Sequence, residues 1–171
     1  MKKVLFAFVV LLTLCIVSAC SESESSTKKN EISKNGEFSI ENISASSLSS
    51  GEKYFFVIPI KWSGNKTAKI ASVEMINREE SVHSDDGINY NFYGGKADKK
   101  TGVYERDDIG EKEEIEGFEI DDKASLILET SLKNHVETNK NRKIQITYDV
   151  NGQERDQIIS SSTFENLSTE K

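Results

Sequence analysis

The chain has 171 residues, with 22 Lys+Arg against 29 Asp+Glu and a formal net charge of −7, enough length for one domain. Two Cys and two His exclude a disulfide scaffold, a four-cysteine zinc site and a haem motif. The acidic balance argues against a nucleic-acid partner, whose phosphates demand a basic surface.

The first 20 residues hold 16 apolar side chains. Lys2 and Lys3 form a cationic start, and residues 4–17 form an apolar run broken only by Thr13. As a helix the run would reach about 21 Å, short of the ~30 Å hydrocarbon core of a bilayer. It reads as the core of a signal peptide, with Cys15 as an apolar filler inside it. Val17-Ser18-Ala19-Cys20 closes the run. This tetrapeptide resembles a bacterial lipobox. The resemblance implies cleavage between Ala19 and Cys20 and a diacylglyceryl group on the Cys20 thiol. Residues 1–19 are then a lipoprotein signal peptide, and the partner of Cys20 is the lipid bilayer. Two acyl chains anchor stably where one binds reversibly, which places the mature chain on the extracytoplasmic face of the cell membrane without spanning it.

Residues 21–35 read SESESSTKKNEISKN, with Ile32 as the only large apolar side chain. Such a segment buries too little to offset its ordering entropy. Residues 20–35 are therefore expected to be a lipidated Cys and a flexible tether, with a reach near ~21 Å.

From Gly36 the pattern has period two. Phe38 and Ile40 alternate with polar neighbours. Tyr54, Phe56, Ile58, Ile60 and Trp62 share one face of a strand over residues 53–62, while Phe55 and Val57 predict burial of its other face as well. Pro59 has no N–H to give a ladder, so this strand is expected at an edge or bulged there. Ser63-Gly64-Asn65-Lys66 reads as a turn. Ala71, Val73 and Met75 alternate next, and Asp85-Asp86-Gly87 supplies turn chemistry before Ile88, Tyr90 and Phe92, a strand ended by Gly94-Gly95. Glu116, Phe118 and Ile120 alternate on a later strand. Residues 124–128 are an apolar run, and Leu128, Leu132 and Val136, four apart, leave a short helix over residues 125–136 open. Ile144, Ile146, Tyr148 and Val150 alternate before Asn151-Gly152, the strongest short hairpin signal. In the returning strand, residues 153–161, Ile158 is the expected main apolar contact.

Seven to nine short strands with regularly spaced turns predict an all-β fold: a single antiparallel Ig-like β-sandwich over residues 36–165, followed by a C-terminal tail, 166–171. A partly open barrel is the alternative. Without a Cys…Trp…Cys framework, a disulfide-bonded immunoglobulin domain is excluded, and Trp62 reads as a lone core tryptophan. The chain as a whole resembles the small secreted lipoproteins of low-GC Gram-positive bacteria that carry one Ig-like domain. Its Lys-, Asn-, Ile- and Glu-rich, Pro-poor composition agrees. The resemblance implies architecture and carries no site residues.

The sequence offers no catalytic set and calls for no cofactor or metal. His83 and His135 lie in polar contexts away from any Gly-x-Ser-x-Gly elbow, and no phosphate-binding glycine loop or Ca²⁺-loop spacing is present. Three Asn-x-Ser/Thr triplets, at Asn42, Asn65 and Asn166, read as chance matches to a glycosylation sequon. Residues 105–122 hold ten acids against Arg106 and Lys112. They read as a solvated loop and exposed strand face rather than a Ca²⁺ site. The expected function is that of a membrane-anchored, non-enzymatic binding or interaction module. An envelope accessory or immunity-type protein is the alternative, and a hydrolase using paired carboxylates the third reading. An exposed aromatic patch, Tyr93 with Tyr104, would favour the first two.

Overall fold

Alternating apolar residues build two antiparallel sheets packed face to face. The computed structural model describes residues 36–44, 47–96, 100–105, 109–133 and 135–170. Cys20, Ala19 and the expected signal peptide and tether lie outside these residues. One sheet has six strands: β1 (Phe38–Ile40), β2 (Lys53–Trp62), β5 (Ile88–Gly95), β6 (Gly102–Tyr104), β7 (Glu113–Glu114) and β8 (Ser125–Leu132). The other has four: β3 (Lys69–Asn77), β4 (Glu80–Ser81), β9 (Arg142–Val150) and β10 (Gln153–Ile159). The orders are β1-β2-β8-β5-β7, with β6 also on β2, and β10-β9-β3-β4. With β1, β2, β3, β5, β8, β9 and β10 taken as strands A to G, these are the ABED and GFC sheets of an Ig-like sandwich, with β4 extending the second. Neither sheet closes into a barrel.

The core lies where the sheets meet. From β2 it takes Tyr54, Phe56, Ile58 and Ile60; from β9, Ile144, Ile146, Tyr148 and Val150. Each set uses every second residue, as the pleat requires. Phe55 and Val57 face the other way and form a second cluster with Ile109 and Ile127, with Tyr93 and Tyr104 packed against it. The first half of β2 is thus buried on both faces.

Pro59 does not make β2 an edge strand. β8 pairs with β2 from Lys53 to Pro59, and the opposite side carries β6 at Phe55–Val57 and β1 at Ile60–Trp62. The Pro59 carbonyl accepts the Glu41 N–H at 3.2 Å. Nitrogen and oxygen of a strand residue point to the same side. The missing N–H of Pro59 therefore faces Glu41, just past the end of β1, and costs only the reciprocal bond of that last pair, while the pairing with β8 is kept.

Four further expectations shift. The β3–β9 register slips between Ile70 and Ser72. This bulge at Ala71 puts Ile70, Val73 and Met75 in the core instead of an Ala71-led set. Residues 125–132 are strand β8 and not a helix; Leu126, Leu128 and Leu132 pack inward and Ile127 outward. Of Glu116, Phe118 and Ile120, only Phe118 and Ile120 are buried, on either side of exposed Glu119; Glu116 is exposed in a turn, and only Glu119 makes a bridge, to Lys69. In β10 the inward isoleucine is Ile159, while Ile158 is 49% exposed. The tight turn causes this: Asn151 (φ 57°) and Gly152 (φ 77°) oppose Val150 to Gln153, so Ile159 pairs with the inward Ile144 and Ile158 with Gln145.

The presumed tail is part of the domain. After helix α1 (Ser162–Glu165), Leu167 is fully buried and Thr169 bridges to Leu48. The domain continues to Glu170, beyond the expected boundary at residue 165.

Candidate functional site

β2 delivers Trp62 to one end of the sandwich, where the β2–β3 turn begins. The indole packs on Phe38 (centroids 4.7 Å) and Tyr148 (5.4 Å), and its Nε1–H donates to the Lys66 carbonyl at 2.7 Å. Gly64 is required here by close approach: a Cβ on it would stand 2.5 Å from the indole ring. Ser63 ties the turn to the start of the domain, donating its N–H to the Glu37 carbonyl (3.0 Å) while its Oγ accepts the Glu37 N–H (2.7 Å). The chain therefore enters the domain, at Gly36 and Glu37, beside this turn.

The acidic segment forms the facing wall. Ile109 is buried in the outer cluster, and β7 pairs Glu114 with Tyr93 on the six-stranded sheet. The chain then crosses to the other sheet. Gly117 N–H donates to the Ile70 carbonyl (2.7 Å), Ile70 N–H to the Phe118 carbonyl (2.9 Å), and Ile120 N–H to the Ala68 carbonyl (3.2 Å). Phe118 and Ile120 are buried in the main core, while the acids of the described part stay exposed. The segment is a solvated acidic surface pinned by three apolar anchors. Its Lys69–Glu119 pair closes at 2.8 Å, and that bond raises the Lys69 pKa.

Between the two walls lies a groove of about 430 Å³. Trp62 and Ile120 form its apolar part. Lys61, Lys66, Asp121 and Asp122 bring charge, and Asn65 and Thr67 complete the rim. Asp121 Oδ1 accepts the Lys123 N–H at 2.9 Å, which fixes its carboxylate. Lys61 makes a loose 3.7 Å contact with Glu41, and among the described residues neither Lys61 nor Lys66 forms an ion pair with Asp121 or Asp122. A smaller hollow of about 230 Å³ opens on the four-stranded sheet beside Ile76, Ile158 and Lys143. It borders the β3–β4 turn, where Arg78 (φ 56°) and Glu79 (φ 83°) adopt left-handed backbone without glycine.

The sequence-derived candidates do not converge. His83 and His135 sit on connections at the other end of the sandwich; His83 uses its backbone N–H on Asp86, and His135 contacts Glu137 at 3.4 Å. Tyr93 and Tyr104 each pack half-buried against the Phe55 and Val57 cluster, on strands separated by β2 and β8, and do not form a flat exposed patch. Lys112 lies over the Phe55 and Tyr93 rings (4.8 and 4.9 Å) and joins Lys53 on Glu129. Among the described residues no three His, Cys, Asp or Glu side chains gather as metal ligands, and no helix is long and apolar enough to cross a membrane. Sequence reasoning missed the groove because its walls lie more than 50 residues apart. The one signal was the turn Ser63-Gly64-Asn65-Lys66 directly after an aromatic-rich strand. No protein-family model, curated protein or solved structure matches the chain.

Proposed function

We propose that the protein is a lipid-anchored, extracytoplasmic binding module whose ligand occupies the groove between the β2–β3 turn and residues 120–122. The observation that carries this reading is the groove itself. Its two walls are fixed by backbone hydrogen bonds to both sheets, and its charged side chains are exposed instead of paired with one another. Such preformed loop surfaces on a rigid sandwich serve recognition. Val17-Ser18-Ala19-Cys20 supports the anchor, through a diacylglyceryl group on Cys20.

Binding is favoured over carboxylate-based hydrolysis for a chemical reason. A general acid needs a carboxyl kept protonated by burial, and among the described residues no Asp or Glu is buried. Two measurements test the reading. Intact mass of the membrane form should show acyl addition at Cys20, lost in Cys20→Ala. Co-purification from solubilised membranes should yield a ligand or partner whose recovery falls in Lys66→Gln. An unmodified Cys20 removes the anchor, and recovery unaffected by Lys66→Gln removes the groove.

A further inference from the structure

The groove's charges restrict its ligand. Lys61 and Lys66 approach from the β2–β3 side, and Asp121 and Asp122 from the opposite wall. A polyanion would meet the two carboxylates, and a polycation the two ammonium groups. A wholly apolar ligand would leave all four charges to be desolvated without compensation. A ligand with one ammonium and one carboxylate satisfies both walls. The volume of about 430 Å³ falls within the ~300–1,000 Å³ span of small-molecule sites. Trp62 and Ile120 provide a short apolar floor for a side chain between the charged ends.

We infer that the groove binds a zwitterion of amino-acid or short-peptide size, its ammonium toward Asp121 and Asp122 and its carboxylate toward Lys61 and Lys66. This rests on the groove being the binding site of the module. Lysine supplies a point charge with rotatable donors, so the carboxylate end tolerates variation in pose. Asp121, held through the Lys123 N–H, is the more fixed partner.

Trp62 is the sole tryptophan of the chain, so its emission reports this groove without labelling. Detergent-solubilised full-length protein is titrated with alanyl-alanine and, separately, with its N-acetylated, C-amidated form. The expected result is a saturable emission change with free alanyl-alanine and a response about tenfold weaker or more with the blocked form, since each charge-assisted contact contributes ~1.5–3 kcal/mol. Asp122→Asn and Lys66→Gln, both at exposed positions, should each weaken binding of the free dipeptide while leaving the far-UV circular dichroism of the domain unchanged. Equal responses to free and blocked dipeptide overturn the inference, as does the absence of saturation. If a neutral oligosaccharide instead gives a saturable change sensitive to Lys66→Gln, the ligand class is wrong while the binding-module reading stands. If the dipeptide fails and co-purification is also indifferent to Lys66→Gln, both fall.

Discussion

Arg142 donates through Nη1 to the Leu167 carbonyl at 2.6 Å, and the same nitrogen reaches the Phe164 carbonyl at 3.0 Å. Its Nη2 reaches the Glu137 carbonyl at 3.0 Å. The guanidinium is buried and satisfied by backbone oxygens from three places: the end of α1, the final segment and the β8–β9 connection. Burial lowers its pKa, with the charge of Asp86 acting in the opposite sense. An arginine remains protonated throughout.

Arg142→Ala would orphan those carbonyls and leave a void at the start of β9. A loss of about 3 kcal/mol or more is expected in urea unfolding. Arg142→Lys should recover less than half of it, because a single ammonium does not reproduce the planar fork. Near-wild-type stability of Arg142→Ala would contradict this account of the C-terminal end.

The ion triad on the outer face predicts a pH dependence. Burial alone would raise the Glu129 pKa, but hydrogen bonds and charge from Lys53 and Lys112 prevail and hold it below its ordinary 4.5. A carboxylate depressed in the folded state contributes stability above its unfolded pKa, and that contribution disappears as pH falls through the folded value. Wild-type stability should thus drop more steeply than that of Glu129→Gln between about pH 5 and pH 3. Parallel pH profiles would show that the triad does not act on stability.

Two isoleucines give a paired test of the β9–β10 register. Ile146 is fully buried, and Ile146→Asp should unfold the domain by placing an unpaired charge in the core, a cost of several kcal/mol. Ile158 is exposed on the opposite face, and Ile158→Asp should change stability by no more than about 0.5 kcal/mol. Circular dichroism melts of both variants decide it, and comparable damage from both would mean the register is wrong.

Gly64→Ala tests the close approach to the indole. Its Cβ would stand 2.5 Å from ring atoms held on the other side by Phe38 and Tyr148. Moving the ring breaks the Nε1–H bond to Lys66 and shifts the turn. A destabilisation of about 1–3 kcal/mol is expected, with a red shift of Trp62 emission. Unchanged emission would argue against the packing described.

Strand patterns were legible wherever the pleat alone decides the outcome. The two-faced burial of β2 and the inward set of β9 follow from period two, and Asn151-Gly152 marks its own turn. Legibility ended where one residue shifts the phase. Ala71 in the bulge depends on a register that local composition does not encode, whereas Ile159 over Ile158 follows only when the pleat is counted back across the Asn151-Gly152 turn from the inward Val150. Leu128, Leu132 and Val136 fit helical spacing only because multiples of four are also multiples of two. The groove was hidden for a different reason: Trp62 and Asp121 meet through sheet topology. The buried Arg142 could not be read because nothing local shows that the C-terminal carbonyls come to it.

The side chain of Gln157 closes the seam between β10 and β1, accepting the Phe38 N–H at 2.7 Å and donating to the Phe38 carbonyl at 2.9 Å. This carboxamide stands in for one rung of a backbone ladder between the two sheets. Under the proposed anchoring, any drag on the domain in flowing medium is transmitted through the N-terminus and arrives first at β1. That strand has only three register pairs with β2. Gln157 shares the load by coupling β1 to the second sheet, so the force spreads over both layers and does not simply peel off the outermost strand. The resistance of an anchored copy to mechanical extraction would then draw on this amide as well as on the bonds of Asn42 and Ile43 to residues 161–163.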